Sequence, residues 1–150
     1  MPVPTALPNN NSSIQFTRLA NGDLALVFND ISAADSTDRR ASLYDDIEDD
    51  GSGRADPVAK AGERAAIWGV PRAPMTLALS EDGGRSWPRK RNLEVGDGYC
   101  MTNNSKDKLN REFSYPSVKQ GPDGVLHIAF TYYRQAIKYV RVTEDWVRGT

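Results

Sequence analysis

The chain is poor in the residues that most often announce chemistry. It has one cysteine, Cys100, and one histidine, His127, among 150 residues. A single cysteine excludes an internal disulfide and leaves the redox compartment open. Without a second histidine a zinc site lacks its donors, and no Ser-His-Asp constellation is legible. His127 itself stands within an apolar strand, as a half-exposed strand residue rather than a ligand. Charge of one sign is also lacking. The net charge is −1, which gives no field for nucleic acid or an anionic membrane surface. No apolar run approaches the ~20 residues of a helical membrane span. Met1-Pro2-Val3-Pro4 shows no basic region followed by an apolar stretch, so no signal peptide is expected and the cytoplasm is the default location. Asn-x-Ser sequons at Asn10, Asn11 and Asn103 matter only in a secreted eukaryotic protein. No cofactor is expected. What remains is 39% hydrophobic and 26% charged residues, enough for a packed core in one domain's length.

The residues that are present spell strands and turns. Ile14 to Leu19 alternates apolar and polar, Ala20-Asn21-Gly22 turns, and Asp23 to Phe28 returns as a buried strand. Met75 to Leu79 is a strand with Met75, Leu77 and Leu79 on one face. Ser80-Glu81-Asp82-Gly83-Gly84-Arg85-Ser86-Trp87 then forms a tight hairpin turn: its glycines permit positive φ, and Asp82 can accept nearby backbone N–H groups. Trp87 starts the return and can cover the apolar side. Phe113 to Val118 is a strand whose inner Pro116 places it at a sheet edge or its start. Pro122-Asp123-Gly124 turns, Val125 to Tyr132 is the most strand-like run, and Ala136 to Val142 is another. On that last strand Ile137, Tyr139 or Val140, and Val142 compete for the inner face.

Two stretches break the pattern. From Asp30 to Val70 the chain turns acidic and loses strand periodicity, which predicts an insertion over 30–70 with a short helix near Ala41 to Ile47. Asp46-Ile47-Glu48-Asp49-Asp50-Gly51 is superficially like a calcium loop, but Pro57 stands where the closing bidentate Glu is needed, so no metal is expected. Residues 96 to 110 form a second polar loop.

There is an internal repeat. Thr17 to Phe28 matches Ser117 to Phe130 with a small gap at the turn, and Ser80-Glu81-Asp82 before Trp87 corresponds to Thr143-Glu144-Asp145 before Trp146. Each unit predicts strand, turn, strand, loop, strand, turn, strand: a four-stranded blade. One blade spans about 14–93 with the insertion, the other about 113–150, without a clear fourth strand. Two blades cannot close around an axis. The fold class expected is therefore all-β: part of a propeller, with the missing blades supplied by a longer chain or by self-association.

The spacing S-x-D-x-G-x-S-W of Ser80 to Trp87 is that of the Asp-box, or BNR repeat. Together with Leu7-Pro8-Asn9-Asn10-Asn11-Ser12, Glu112-Phe113-Ser114-Tyr115-Pro116, Tyr132-Tyr133-Arg134 and Ile137-Lys138, it makes the chain resemble the C-terminal part of a sialidase-like (neuraminidase-like) six-bladed β-propeller. The resemblance covers nearly all of the chain except the insertion, and about a third to a half of a full family member. It implies a glycoside hydrolase domain acting on sialosides or a related sugar. Members hold the substrate carboxylate with three arginines, attack with a glutamate-activated tyrosine, and use an aspartate as acid/base. By position, Tyr115 matches the nucleophile, Glu112 could tune it, Arg72 matches the third arginine, and Arg134 holds the equivalent place in the last blade. Each has a plain structural reading as well: an aromatic packed between blades, a solvated carboxylate, surface arginines. The activating glutamate's neighbourhood here reads Asn10-Asn11-Ser12-Ser13, and the strand that should end near the second arginine ends Phe28-Asn29-Asp30. Asn9, Asn11 and Asn29 are then neutral hydrogen-bonders in place of charge. The alternative is a non-catalytic carbohydrate-binding or interaction propeller. Either way the expected ligand is a carbohydrate, with no nucleic-acid or membrane partner.

Overall fold

The computed structural model describes residues 3–38, 69–96 and 112–150. The helix expected over Ala41 to Ile47, most of the acidic insertion, the calcium-like run and the polar loop with Cys100 lie outside the described residues.

The described residues form two antiparallel sheets. The first has four strands in sequential order: β1 (Gln15–Arg18), β2 (Leu24–Asn29), β3 (Met75–Ser80) and β4 (Arg89–Glu94). The second has three: β5 (Phe113–Gln120), β6 (Leu126–Tyr132) and β7 (Ala136–Val142). A five-residue helix, α1 (Glu144–Arg148), ends the chain and packs against β3 and β4. It is not long or apolar enough to cross a membrane.

The strands follow from alternation, and the turns from a few polar residues. In the β1–β2 turn, the Leu19 amide donates to the Asp23 carbonyl, the Gly22 amide donates to the Leu19 carbonyl, and Asn21 accepts from the Asp23 amide. The β5–β6 turn repeats this bond for bond. The Gly121 amide donates to the Val125 carbonyl, the Gly124 amide to the Gly121 carbonyl, and Asp123 accepts from the Val125 amide. Gly22 and Gly124 both have positive φ, 98° and 78°, the conformation that glycine adopts without a Cβ penalty. The repeat is thus one of geometry, with Leu126 in the place of Leu24, but its register corrects the sequence alignment: Gln15, not Thr17, matches Ser117, and no gap is needed at the turn.

The Asp-box closes as its residues suggest. Asp82 accepts from the Ser86 amide (2.9 Å), the Ser86 hydroxyl (2.7 Å) and the Ser80 hydroxyl (2.8 Å), and Ser80 Oγ accepts from the Gly84 amide. These bonds, first of all the Ser86 amide, lower the Asp82 pKa from 3.8 to about 2. Trp87 lies within the turn, and the return strand begins at Arg89. Its indole packs over Leu26, Phe28 and Ala78.

The correspondence of Thr143-Glu144-Asp145 with Ser80-Glu81-Asp82, which predicts a second turn of the same kind, is not borne out: a helix starts there. Thr143 is the N-cap of α1, its hydroxyl accepting from the Trp146 amide, with Glu144 and Asp145 in the first turn and Gly149 closing the helix in the left-handed region. Acidic residues favour a helix N-terminus as readily as a turn; the glycines that make Ser80–Trp87 a hairpin are absent after Asp145. Trp146 instead takes the Arg91 guanidinium at 4.4 Å over its ring.

The core lies between the sheets. Ala25, Val27, Met75, Leu77 and Leu79 of the first meet Val118, Leu126, Ile128 and Phe130 of the second, with Phe113 among them. All are buried, and each large side chain here contributes about 1.5 to 3 kcal/mol. On β7 the competition for the inner face goes to Val140 and Val142, while Ile137 and Tyr139 face outward. As expected, β5 is an edge strand, and Pro116 falls where its register slips.

Candidate functional site

The residues singled out in the sequence converge at the seam between the sheets. Arg72 and Glu112 form an isolated parallel bridge between their backbones. The Phe113 amide donates to the Arg72 carbonyl (2.7 Å), and the Tyr133 amide to the Glu112 carbonyl (3.0 Å). Three loop ends are thereby laced together: the approach to β3, the start of β5 and the β6–β7 connection.

Glu112 is fully buried. Its Oε1 accepts from Arg72 Nη1 at 2.8 Å, Arg134 Nη2 at 3.1 Å and the Ser114 hydroxyl at 3.4 Å. Its Oε2 is ion-paired with Arg134 Nε. The two arginines come from matching places. Ser80 and Val142 pair with the equivalent residues Leu24 and Leu126, so Arg134 stands before β7 as Arg72 stands before β3. A carboxylate out of water requires such partners. Two guanidiniums thus share one buried carboxylate. The arginine side chains keep 17% and 27% of their surface exposed, so both are reachable from solvent.

Tyr115 stands at the mouth. The β5–β6 register slips between Ser114 and Ser117, and Tyr115 takes φ of 51°. A non-glycine residue in this region carries strain, and such bulges often re-aim a side chain. Tyr115 is 66% exposed, with the Arg72 guanidinium 5.9 Å from its ring centre. Tyr133 and Arg134 also have positive φ, 50° and 56°. Behind them Phe113 packs against Phe130, Tyr132 and Tyr133 with ring centres 4.7 to 5.9 Å apart. No hydrogen bond joins Tyr115 to Glu112 among the described residues.

The asparagines separate. Asn29 is buried and fully engaged: its Nδ2 donates to the Pro74 and Phe113 carbonyls, and its Oδ1 accepts from Asn10. Asn10 also donates to the Pro71 carbonyl. Asn11 is exposed with φ of 59°, its amide donating to Asn9 Oδ1. The sequence reading missed Asn10 as the buried hub. The repeat read without a gap at the turn could have found it, because the spacing that pairs Leu24 with Leu126 then also pairs Asn10 with Glu112: an amide before one sheet stands where a carboxylate stands before the other.

His127 is half-exposed, its Nδ1 2.5 Å from the Tyr139 hydroxyl. Among the described residues no group of three or more His, Cys, Asp and Glu side chains is placed to hold a metal. A groove of about 990 Å³ lies elsewhere, on the outer face of the first sheet, between Leu26, Phe28 and the N-terminal segment. Asp30 and Lys90 line it and pair with each other at 2.7 Å. It contains none of Arg72, Glu112, Tyr115 or Arg134. The charge, the strained backbone and the exposed phenol lie together at the seam, which is the better candidate on chemical grounds.

No curated protein and no solved structure matches the chain. A family model described as the BNR repeat-like domain matches residues 1–128, a span that takes in the Asp-box, Arg72, Glu112, Tyr115, β5 and the β5–β6 turn. On that match the chain belongs to the BNR repeat-like family, in keeping with its sialidase-like resemblance.

Proposed function

We propose that the two sheets are adjoining blades of a sialidase-like β-propeller, and that the seam between them recognises a carboxylate-bearing sugar of the sialoside class. The observation that carries this reading is a pair of part-exposed arginines, Arg72 and Arg134, held by one buried carboxylate beside an exposed tyrosine. Arginine matches a carboxylate in geometry and keeps its charge at every physiological pH. An aromatic ring offers a stacking face to the apolar side of a sugar. Glu112 acts as a positioning residue: it holds both guanidiniums at the seam and prevents their mutual repulsion from spreading them. Arg72 and Tyr115 make the ligand contacts, with Arg134 completing the charge.

A second reading is hydrolysis, with Tyr115 as nucleophile. Its exposure, its strained backbone and the nearby Arg72 favour it. Against it, both Glu112 oxygens are engaged by arginines, which leaves Tyr115 without an evident base. Recognition is therefore the primary function proposed.

Binding of a sialoside, its neutral asialo counterpart and a uronic acid, measured by calorimetry, tests the proposal. Acidic sugars should bind saturably, and Arg72→Ala should abolish binding. Equal affinity for the neutral sugar would refute the charge argument. Release of sialic acid that Tyr115→Phe eliminates would establish the second reading instead.

A further inference from the structure

The two sheets pack head to tail. The side of the first sheet that meets the second carries Ala25, Val27, Met75 and Leu77. By the register of the repeat, the same positions in the second sheet are His127, Ala129, Ile137 and Tyr139. These face away from the core, to the open side. Ile137 is 77% and Tyr139 57% exposed, where Met75 and Leu77 are both 0%. The opposite faces show the complementary mismatch. The side of the second sheet that receives the first carries Val118, Leu126, Ile128 and Phe130. Its counterparts in the first sheet are Phe16, Leu24, Leu26 and Phe28. Phe16 is 60% exposed, where Val118 is 9%. Ile14 is 61% exposed, where its counterpart Pro116 is buried. Each sheet therefore uses one half of the same joint and leaves the other half without a partner sheet among the described residues; on the first sheet Leu7 and Trp87 cover Leu26 and Phe28, and Ile14 and Phe16 stay exposed.

We propose that a second copy of this chain occupies these faces: the Ile137–Tyr139 face of one copy docks on the Ile14–Phe16 face of the next. The joint already made inside the chain is the precedent for its shape. Two further features fit this occupant. The groove beside Ile14, floored by Leu26 and Phe28, has room for the side chains of Ile137 and Tyr139. The charges match on balance: Lys119 and Arg141 flank the exposed face of the second sheet, Arg141 with Asp123 3.7 Å away, while Asp30, Asp35 and Lys90 line the groove, two acids against one base. The contact is heterologous, with different surfaces on the two partners, so each copy keeps a free half-joint. Assembly then continues to a ring or an open chain rather than stopping at a symmetric dimer. This inference stands on packing alone and does not rest on the sugar reading.

Sedimentation velocity of the full chain from about 1 to about 100 μM tests it by mass action. The average mass should rise with concentration past that of a dimer, and added salt should weaken the assembly. Two double variants supply the decisive comparison. Ile137→Lys with Tyr139→Lys disables one half-joint, and Ile14→Lys with Phe16→Lys disables the other. All four side chains are exposed, so circular dichroism should show an unchanged fold. Each variant alone should be monomeric, and an equimolar mixture should form a dimer and nothing larger, because one intact joint survives. A wild-type chain that stays monomeric, a mixture that stays monomeric, or either variant dimerising by itself would overturn the proposal.

Discussion

Removing the Glu112 carboxylate should destabilise the chain more than any surface change. In Glu112→Ala the Arg72 and Arg134 guanidiniums both lose the carboxylate they share at the seam. Stripping one partner from a buried ion pair costs about 3 to 5 kcal/mol. Arg72 and Arg134 retain 17% and 27% side-chain exposure, so water relieves part of that, and the lower end, about 3 kcal/mol, is expected. For a chain of this length, that lowers Tm by about 6 to 12 °C. Urea unfolding followed by tryptophan emission measures it, with the midpoint falling at constant slope. The arginines extend the test. Arg72→Met leaves Glu112 with Arg134, and Arg134→Met leaves it with Arg72, so each single change is milder. The double change strands the carboxylate and should exceed the sum of the singles by about 1 to 3 kcal/mol. A Glu112→Ala loss below about 1 kcal/mol, or additive arginine effects, would refute a shared buried carboxylate.

Three further outcomes follow from other parts of the fold. Asp82 has a folded pKa of about 2 against an ordinary 3.8. Its contribution is full above pH about 4 and is lost as pH falls through about 2; Asp82→Asn should flatten that limb of a stability–pH profile. A Cβ on Gly96 would stand 1.9 Å from the Tyr133 hydroxyl and 2.8 Å from Phe113 Cζ, so Gly96→Ala should cost about 1 to 3 kcal/mol by overpacking, read as a lower denaturant midpoint. Thr143→Ala removes the N-cap of α1 and should cost about 1 kcal/mol, with hydrogen exchange speeding first at the Trp146 amide.

Much of this architecture is legible in the sequence because strand alternation and turn chemistry are local. Asn21-Gly22, Asp123-Gly124 and the Asp-box each name their turn; β1 and β6 fall inside the predicted runs, while β2, β3 and β5 run one or two residues past the predicted ends. Ala136–Val142 is the one whose limits agree to the residue. What was not legible depends on partners distant in the chain. Thr143-Glu144-Asp145 fits either a turn or a helix start; the surrounding packing against β4 accompanies the helix. The candidate residues Arg72, Glu112, Tyr115 and Arg134 were singled out separately. That one carboxylate binds both arginines emerges only when residues 40 and 22 positions apart meet. Asn29 and Asn11 looked alike as polar amides, yet burial separates them, with Asn29 bonded to the Asn10 side chain and to the Pro74 and Phe113 carbonyls.

The central claim, that the seam is a site for acidic sugars, is tested most directly by titrating the isotopically labelled chain with a sialoside. Amide shifts recorded residue by residue locate the ligand. The account predicts saturable shifts at Arg72, Glu112 to Tyr115, and Tyr133 to Arg134, absent with the asialo sugar and lost in Arg72→Ala. Shifts confined to the groove at Leu7, Leu26 and Phe28, or no saturable shift at all, would contradict it.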